Sequence, residues 1–593
     1  MTEKHFKCEK DFHVAVALSK KSGATIPSLA KKTGYSEEDV VASLASLCNS
    51  GYAENDRLTS LGLETLEGYR VENAIILAAG MATRFVPISY EIPKGLIRVK
   101  GEPLIERQIC QLKEAGINEI VVVLGYMMEK FLYLKDKYNV KFVVNNEFAE
   151  KNTHSSIYAA RDYLKNTLIL CADNYYPNNM FHKYEYRTYY CSIFLPGIGY
   201  TERSLITDEN GLVVDTHKPS RDEWILYGHA YWDRSFSAAF KPILKRYYGT
   251  EGIENYYWET IWSENLESCP MWIKRCTPED IMEFDSVSEL EAYDKDYILN
   301  NDTSIMENIR SVLYCTAADI TDFKPLKTGL NNRSFTFLCK GQRYVYRHPG
   351  KNAEGVIDRK KEAFCQRCAR DLGIDETLIY IDSVRGWKIS KYIDTTEEFD
   401  FSNTAHIEAL AKHLKKLHDA NIVTNTHFSY MEEADKLIEI IRRVDYDSFV
   451  EIQKNRERIQ EVLSGLAQDN WQVSLCHNDI YEPNLLVSNG IVSLIDWEFA
   501  GDSDIGYDIC KLFAVLNPAP EQYDDLLSLY YHRKATAEEK HHLIGCAAVL
   551  YYYWFVWGVY ASKNGTSVSD YVMVWYDKMK HFCELYEKGK EHL

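Results

Sequence analysis

The apolar run Ala74–Leu77 leads into Leu77, Ala78, Ala79 and Gly80, followed by Arg84 and, ten residues later, Lys94 behind Pro93. A strand that ends in two alanines and a glycine lets backbone N–H groups approach a polyphosphate closely, because Gly80 carries no Cβ to obstruct it. Arg84 offers a planar fork to phosphate oxygens, and Lys94 a point charge for the reacting phosphate. Asp173 closes a second apolar run, Leu168–Ala172, and so projects at a strand's carboxyl end, where open α/β sheets bind ligands. Its expected partner is Asp285, whose other reading is a cap for the helix 286–293. Two hard oxygen ligands suit Mg2+, which also binds substrate phosphates.

A second set lies four hundred residues downstream. His477-Asn478-Asp479 and then Asn484 give His-x-Asp-x4-Asn, and Asp496 follows in Leu494-Ile495-Asp496-Trp497. In phosphoryl transfer an Asp takes the hydroxyl proton, and an Asn and a second Asp hold metal at this spacing. Upstream, the turn 328–335, with Asn331 and Asn332, can cover a nucleotide. Arg347 stands where a strand cation would reach the phosphates, with Glu362 on the next helix as its partner.

Aromatic residues accompany both sets. Trp232 and Trp258 stand with the acid Glu259 in the first region; Trp497, Glu498, Trp554 and Trp557 stand in the second. A quaternary ammonium has no N–H to donate, so ring faces and a nearby carboxylate are what recognise it. The competing reading is that these rings are core, as most aromatics are.

The elements that must position these groups fall into segments. Residues 71–297 alternate strand-like and helix-like runs, the βαβ rhythm of a doubly wound, mostly parallel α/β sheet. Residues 298–323 read as a helical linker. Residues 324–593 open with a strand pair, 333–339 and 342–347, and continue as a largely helical half, giving an α+β, protein-kinase-like fold. Residues 1–70 read as a small all-α or winged-helix domain: a helix over 26–34, a second capped by Ser36, a wing at 52–59 and a last helix over 63–69. Glu37, Glu38 and Asp39 at the start of the second helix would meet DNA phosphates, and the segment has nine Lys/Arg against ten Asp/Glu. Packing, dimerisation or sensing is therefore its expected role, and nucleic acid is disfavoured.

The first set resembles the nucleotidyltransferase superfamily, and within it the bacterial CTP:phosphocholine cytidylyltransferases, through PKGLIRVKGEPLIERQI, the Gly125-Tyr126 turn, ADN at 172–174 and the YYWE and FDS segments. That resemblance implies CTP held by Leu77–Gly80, Lys94 and Arg84 on phosphates, and Asp173 and Asp285 on Mg2+. The segment 324–580 resembles the choline/ethanolamine kinase family, close to aminoglycoside phosphotransferases; an Arg at 347 fits its bacterial members. This implies ATP under the 328–335 turn, Asp479 as base, and Asn484 and Asp496 on Mg2+. A bifunctional enzyme follows as the expectation: choline and ATP give phosphocholine, which with CTP gives CDP-choline. The alternatives are ethanolamine or another amino alcohol as substrate, or a transcription regulator whose catalytic-like domains only sense ligands. Related transferases often pair, which makes a homodimer one option, and the sequence itself leaves the oligomeric state open.

Bulk properties agree with this. The 593 residues exceed one core, and 46% hydrophobic with 26% charged residues is ordinary for a globular chain. A net charge of −19 argues against a general nucleic-acid or anionic-membrane surface. Fifteen cysteines, with Cys365 and Cys368 as the one CxxC pair, and no leader segment read as reduced thiols in cytoplasm. The uncharged stretch 543–562 is long enough to span a bilayer, but Tyr551, Tyr552, Tyr553 and Trp554 sit at its centre, whereas spanning helices keep such rings at the interfaces. A buried helix is expected there.

Overall fold

The computed structural model describes residues 5–20, 24–81, 85–195, 203–218, 222–284, 286–326, 332–349, 358–516, 518–563 and 569–589. Two compact units divide after Ala317, inside the segment expected as a linker. The helix Ser304–Leu313, capped by Thr303, belongs to the first unit, where Glu91 accepts from the backbone and hydroxyl of Ser304.

In the first unit, the helices Glu9–Lys20, Ile26–Thr33 and Glu37–Asn49 precede a short hairpin, Ala53–Glu54 with Arg57–Leu58, and the helix Ser60–Glu67. Gly34 stops the second helix in a left-handed conformation, φ +75°, where a side chain would be strained. Ser36 Oγ accepts from Asp39 N at 3.1 Å and starts the third. Asp39 also pairs with Lys10 of the same subdomain, so part of this acidic helix start is neutralised internally. Phe12 and Tyr69 pack on Tyr186, Tyr184 donates to Glu67, and Glu9 pairs with Arg187. The helical subdomain is thus seated on residues 184–187 of the central sheet domain.

The central sheet carries the order Val213–His217, Ser204–Thr207, Glu223–Trp232, Thr167–Cys171, Asn73–Ala78, Ile120–Leu124, Lys141–Val144. Tyr189–Leu195 and Trp272–Cys276 join beside Glu223–Trp232. The strands at 73, 120, 141 and 167 are mutually parallel, and Glu223–Trp232 pairs antiparallel with Thr167–Cys171. Every residue of Asn73–Ala78 is buried, because apolar clusters cover both faces of the sheet.

The second unit has a five-stranded antiparallel sheet in the order Ile320–Pro325, Asn332–Cys339, Gln342–Pro349, Lys388–Lys391, Leu378–Ile381. The helix Arg359–Asp371 and a helical half built on Thr404–Asp419, Tyr430–Val444, Tyr446–Leu466, Ala537–Lys563 and Ser569–Glu587 complete it. Among the described residues one helix, Ala537–Ser562, is long and apolar enough to cross a membrane, but 78% of its apolar window is buried inside this unit. It is a core helix here, as expected from its central rings. All fifteen cysteines are free thiols, with Cys365 buried and Cys368 half-buried.

Candidate active sites

The first centre sits at the carboxyl end of the parallel strands. Asn73–Ala78 delivers Ala79 and Gly80, and Thr167–Cys171 delivers Asp173. Tyr126 N donates to Ala79 O at 3.1 Å, and a Cβ on Gly125 would meet Ala79 Cβ at 2.9 Å, so the turn at 125 fixes the nucleotide-side backbone. Nothing lies within 4 Å of where a Cβ on Gly80 would stand, which leaves open room above that turn. Lys94 Nζ donates to Asp173 Oδ2 at 2.8 Å. Gly95 explains how this pair can form: a Cβ there would meet Ala172 Cβ at 2.9 Å, so only glycine lets the Pro93-Lys94 turn close onto the strand end. Asp173 Oδ1 is buried without a hydrogen-bond partner. Arg84 and Asp285 lie outside the described residues.

Tyr190 stacks on Trp258 with centroids 5.6 Å apart, and its hydroxyl donates to Glu259 Oε1 at 3.0 Å. Glu259 Oε2 is buried without a partner, and burial pushes this carboxyl up to about 7. Glu259 and Asp173 both act electrostatically on the buried Cys171 thiol. Trp232 and Trp258 are both fully buried in one core cluster with Tyr190, Trp232 packing against Phe236, Phe240 and Trp258. The two indoles are therefore core residues in this structure rather than open ring faces, which corrects the expectation for both, and the group with an unpartnered polar atom is Glu259.

Sequence reading missed Tyr190 and Glu283. Glu283 pairs through its backbone with Asn174, beside Asp173, and its charge reaches Tyr190. No local motif marks either.

The second centre is built on a backbone loop under unusual constraint. Asn478 and Asp496 both have left-handed φ, +64° and +65°. Asp508 holds the loop from beneath by accepting from His477 N at 2.8 Å and Asn478 N at 3.0 Å. His477 joins its ring to Ile495 O at 2.9 Å, fastening this loop to the hairpin Leu485–Ser488 with Ile491–Leu494. Asn484 Nδ2 donates to Asp479 Oδ2 at 3.0 Å. Asp496 Oδ1 is buried without a hydrogen-bond partner. Burial and the charge of Asp496 push Asp479 up to about 7, and the same two causes push Glu498 to about 7.

Arg347 and Glu362 form the expected ion pair, nearly fully buried, and Arg359 adds a second contact to Glu362 at 2.9 Å. Arg347 lies 4.0 Å from Asp496, so the strand cation faces the metal-type carboxylate. The guanidinium holds Glu362 down to about 2 against its burial. Asn332 Nδ2 donates to Glu498 Oε2 at 3.2 Å; Asn331 lies outside the described residues.

Trp497 is fully buried, packs edge-on against His477 and donates its indole N–H to Leu494 O at 3.1 Å. Trp497 thus supports the loop from within the core, while Asp496 and Glu498 on either side of it are half-buried. Trp554 and Trp557 are half-buried and meet at 5.6 Å, joined by Trp575 at 5.8 and 6.1 Å and, beyond it, Tyr571. Trp575 and Tyr571 were missed; their spacing of four on the last helix was the only available signal.

Comparison with known proteins agrees with this division. The choline/ethanolamine kinase family matches residues 323–525, and the MobA-like NTP transferase domain matches 74–188. A choline-phosphate cytidylyltransferase of Streptococcus pneumoniae is 34% identical over 229 residues, covering 39% of this chain and 99% of that protein. The chain belongs to the nucleotidyltransferase family, fused to a choline kinase family domain. It is a bifunctional transferase. A 2-aminoethylphosphonate cytidylyltransferase of Lancefieldella rimae is equally similar to the nucleotidyltransferase half, 34% identical over 38% of this chain and 93% of that one. The kinase half is similar to the solved choline kinase LicA of Streptococcus pneumoniae, 22% identical over 48% of this chain and 98% of that one, with a TM-score of 0.40.

Proposed function

We propose that the kinase half phosphorylates choline with ATP and that the nucleotidyltransferase half joins the product to CMP from CTP, giving CDP-choline and pyrophosphate. The observation that carries this reading is that each half pairs phosphate-handling residues with aromatic rings. Lys94 and Asp173 share a sheet domain with Tyr190, Trp258 and Glu259; Asp479, Asn484 and Asp496 share a unit with Trp554, Trp557 and Trp575. Such rings suit a methylated cation, and the first reaction makes the acceptor of the second.

In the kinase half, Asp479 takes the proton of the alcohol as its oxygen attacks the γ-phosphorus. Arg347, fixed by Glu362, orients phosphate oxygens of ATP under the turn that begins the strand at 332. In the nucleotidyltransferase half, the acceptor phosphate attacks the α-phosphorus of CTP in line, with Lys94 on the reacting phosphate and the Leu77–Gly80 backbone on the nucleotide. Glu259, held by Tyr190 and backed by the buried Trp258, offers a carboxylate to the head group. Positioning and charge neutralisation supply the rate, with no covalent enzyme intermediate. The partnerless buried oxygens of Asp173 and Asp496 fit Mg2+, which Asp173 with Asp285, and Asp496 with Asn484, would hold to neutralise substrate phosphates.

A second reading has a specific observation behind it. The similarity to a 2-aminoethylphosphonate cytidylyltransferase equals that to the choline-phosphate enzyme, so a primary-amine head group is the rival acceptor. Purified protein incubated with choline, ATP, CTP and Mg2+ is the test, with CDP-choline followed by mass spectrometry. Asp479→Ala stops the reaction from choline but not from phosphocholine, whereas Asp173→Ala stops both. Competition with ethanolamine and 2-aminoethylphosphonate decides the head group; preferential use of either sinks the choline assignment.

A further inference from the structure

The peptide unit that joins Asn478 to Asp479 is held at both edges. Its N–H, on Asp479, donates to His477 Nδ1 at 3.2 Å, which is free to accept because the same ring donates from Nε2 to Ile495 O. Its carbonyl, on Asn478, accepts from the hydroxyl of Tyr430, the first residue of the helix Tyr430–Val444. A peptide unit is planar, so fixing its oxygen and its N–H fixes the direction in which the Cα of Asp479 leaves it. Asp508 grips the two peptides before this one, through the N–H groups of His477 and Asn478. The extra hold is needed because Asn478 sits at φ +64°, a region a non-glycine residue keeps only where its surroundings impose it.

The ring of Tyr430 reaches a second place. It is 2% exposed and packs against Tyr507, with centroids 4.9 Å apart, and against Tyr553, at 5.4 Å. Tyr553 meets Trp554 at 5.4 Å, and Trp554 meets Trp557. One phenol therefore binds the peptide that carries the base through its oxygen. Through its ring it touches the helix whose indoles are read above as the head-group cluster. A substrate alcohol must bring its oxygen to Asp479 while its head group rests on those indoles, so the separation of the two has to be fixed.

We propose that Tyr430 is a positioning residue of the kinase reaction: its hydroxyl sets Asp479 at the distance from the ring cluster where the oxygen of a bound alcohol meets it. Tyr430 takes no part in the transfer itself. The alcohol proton still passes to Asp479 and the phosphoryl group to the alcohol oxygen, as in the kinase reading on which this inference rests.

The test uses the full chain with choline, ATP and Mg2+ and no CTP, following ADP release. Tyr430→Phe keeps the ring and removes the hydroxyl; kcat falls by about 10- to 100-fold while the KM values for choline and ATP stay within about threefold. In an Asp479→Ala background the same change costs less than about threefold, because the base that the hydroxyl positions is gone. Tyr551→Phe is the control: Tyr551 is also buried in this half and donates to Ala514 O at 2.9 Å, and its loss leaves kcat near that of the unaltered chain. An unchanged kcat in Tyr430→Phe, an equal loss from Tyr551→Phe, an undiminished loss in the Asp479→Ala background, or a raised choline KM with kcat intact would each overturn the proposal. Thermal melts check folding, with rates compared well below the lowest melting point, and Tyr430→Met takes the same measurements if the Phe variant does not fold. Asp479→Ala keeping its kinase activity, or Trp557→Ala leaving choline KM untouched, would instead sink the kinase reading itself.

Discussion

The two centres face the same substance, phosphate, with opposite charge balances. At the sheet end, Lys94 already lies on Asp173 at 2.8 Å, so cation and carboxylate are paired before any substrate arrives. In the kinase half, burial together with the charge of Asp496 raises both Asp479 and Glu498 to about 7. Arg347, the cation that lies 4.0 Å from Asp496, is committed to Glu362. The first centre is electrically assembled; the second has an excess of carboxylate that divalent cations would relieve. The kinase half should therefore depend on metal for its stability as well as its chemistry.

The sharpest way to break the comparison is to remove one carboxylate from each centre. Asp479→Ala lowers ADP formation from choline by about 1,000-fold and leaves CMP transfer to supplied phosphocholine unchanged; Asp173→Ala does the reverse. Loss of both activities from either variant would show that the halves do not work separately.

A smaller but still large effect is structural. Glu362→Gln leaves Arg347 buried without its charge partner and destabilises the kinase unit by about 3–5 kcal/mol, read by chemical denaturation. A midpoint that does not move would mean that another carboxylate, such as Asp496 at 4.0 Å, takes over the charge of Arg347.

The metal comparison sharpens next. Mg2+ at a hundred times its dissociation constant stabilises the kinase unit by about 2.7 kcal/mol, and Asp496→Asn removes most of that gain. The melting of the first unit, where Lys94 already offsets Asp173, responds less. Equal responses would erase the proposed difference between the centres.

The smallest effect concerns pH. Glu259 has its folded pKa raised to about 7 by burial, so it is neutral below that value and charged above it. Its attraction for a cationic head group is absent at low pH and appears as pH rises through 7. The phosphocholine KM should fall about tenfold between pH 6 and 8 relative to Glu259→Gln, measured in parallel so that the ligand's own titration cancels. A constant ratio between the two enzymes would remove Glu259 from the site.

Much of this was legible in the chain because backbone-dictated chemistry is local. Leu77–Gly80 followed by Lys94, and His477-x-Asp479-x4-Asn484 with Asp496, are fixed spacings on a strand end and a hairpin loop. Arg347 meets Glu362 as expected, and two contacts not expected draw the named groups together, Lys94 on Asp173 and Asn484 on Asp479. The uncharged helix at 543–562 was recognisable as core from where its rings sat.

The aromatic residues were a different matter. Trp232, Trp258 and Trp497 looked like Trp554 and Trp557 in the sequence, yet the first three are sealed in core and the last two are half-buried in a ring cluster. A ring's burial depends on which side of a strand or turn it leaves from and on what packs there, and neither is written in its neighbours. Tyr190 and Trp575 likewise gained meaning only from contacts made across the fold.

By itself, then, the order of residues determined which phosphate chemistry each half carries, because turns, strand ends and metal-type carboxylates need particular side chains at short fixed separations. Only the tertiary structure decided which rings are sealed in the core, which stay half-buried, and which carboxylate oxygens are left without a partner. Those outcomes depend on distances between segments far apart in the chain, set by packing rather than by local preference.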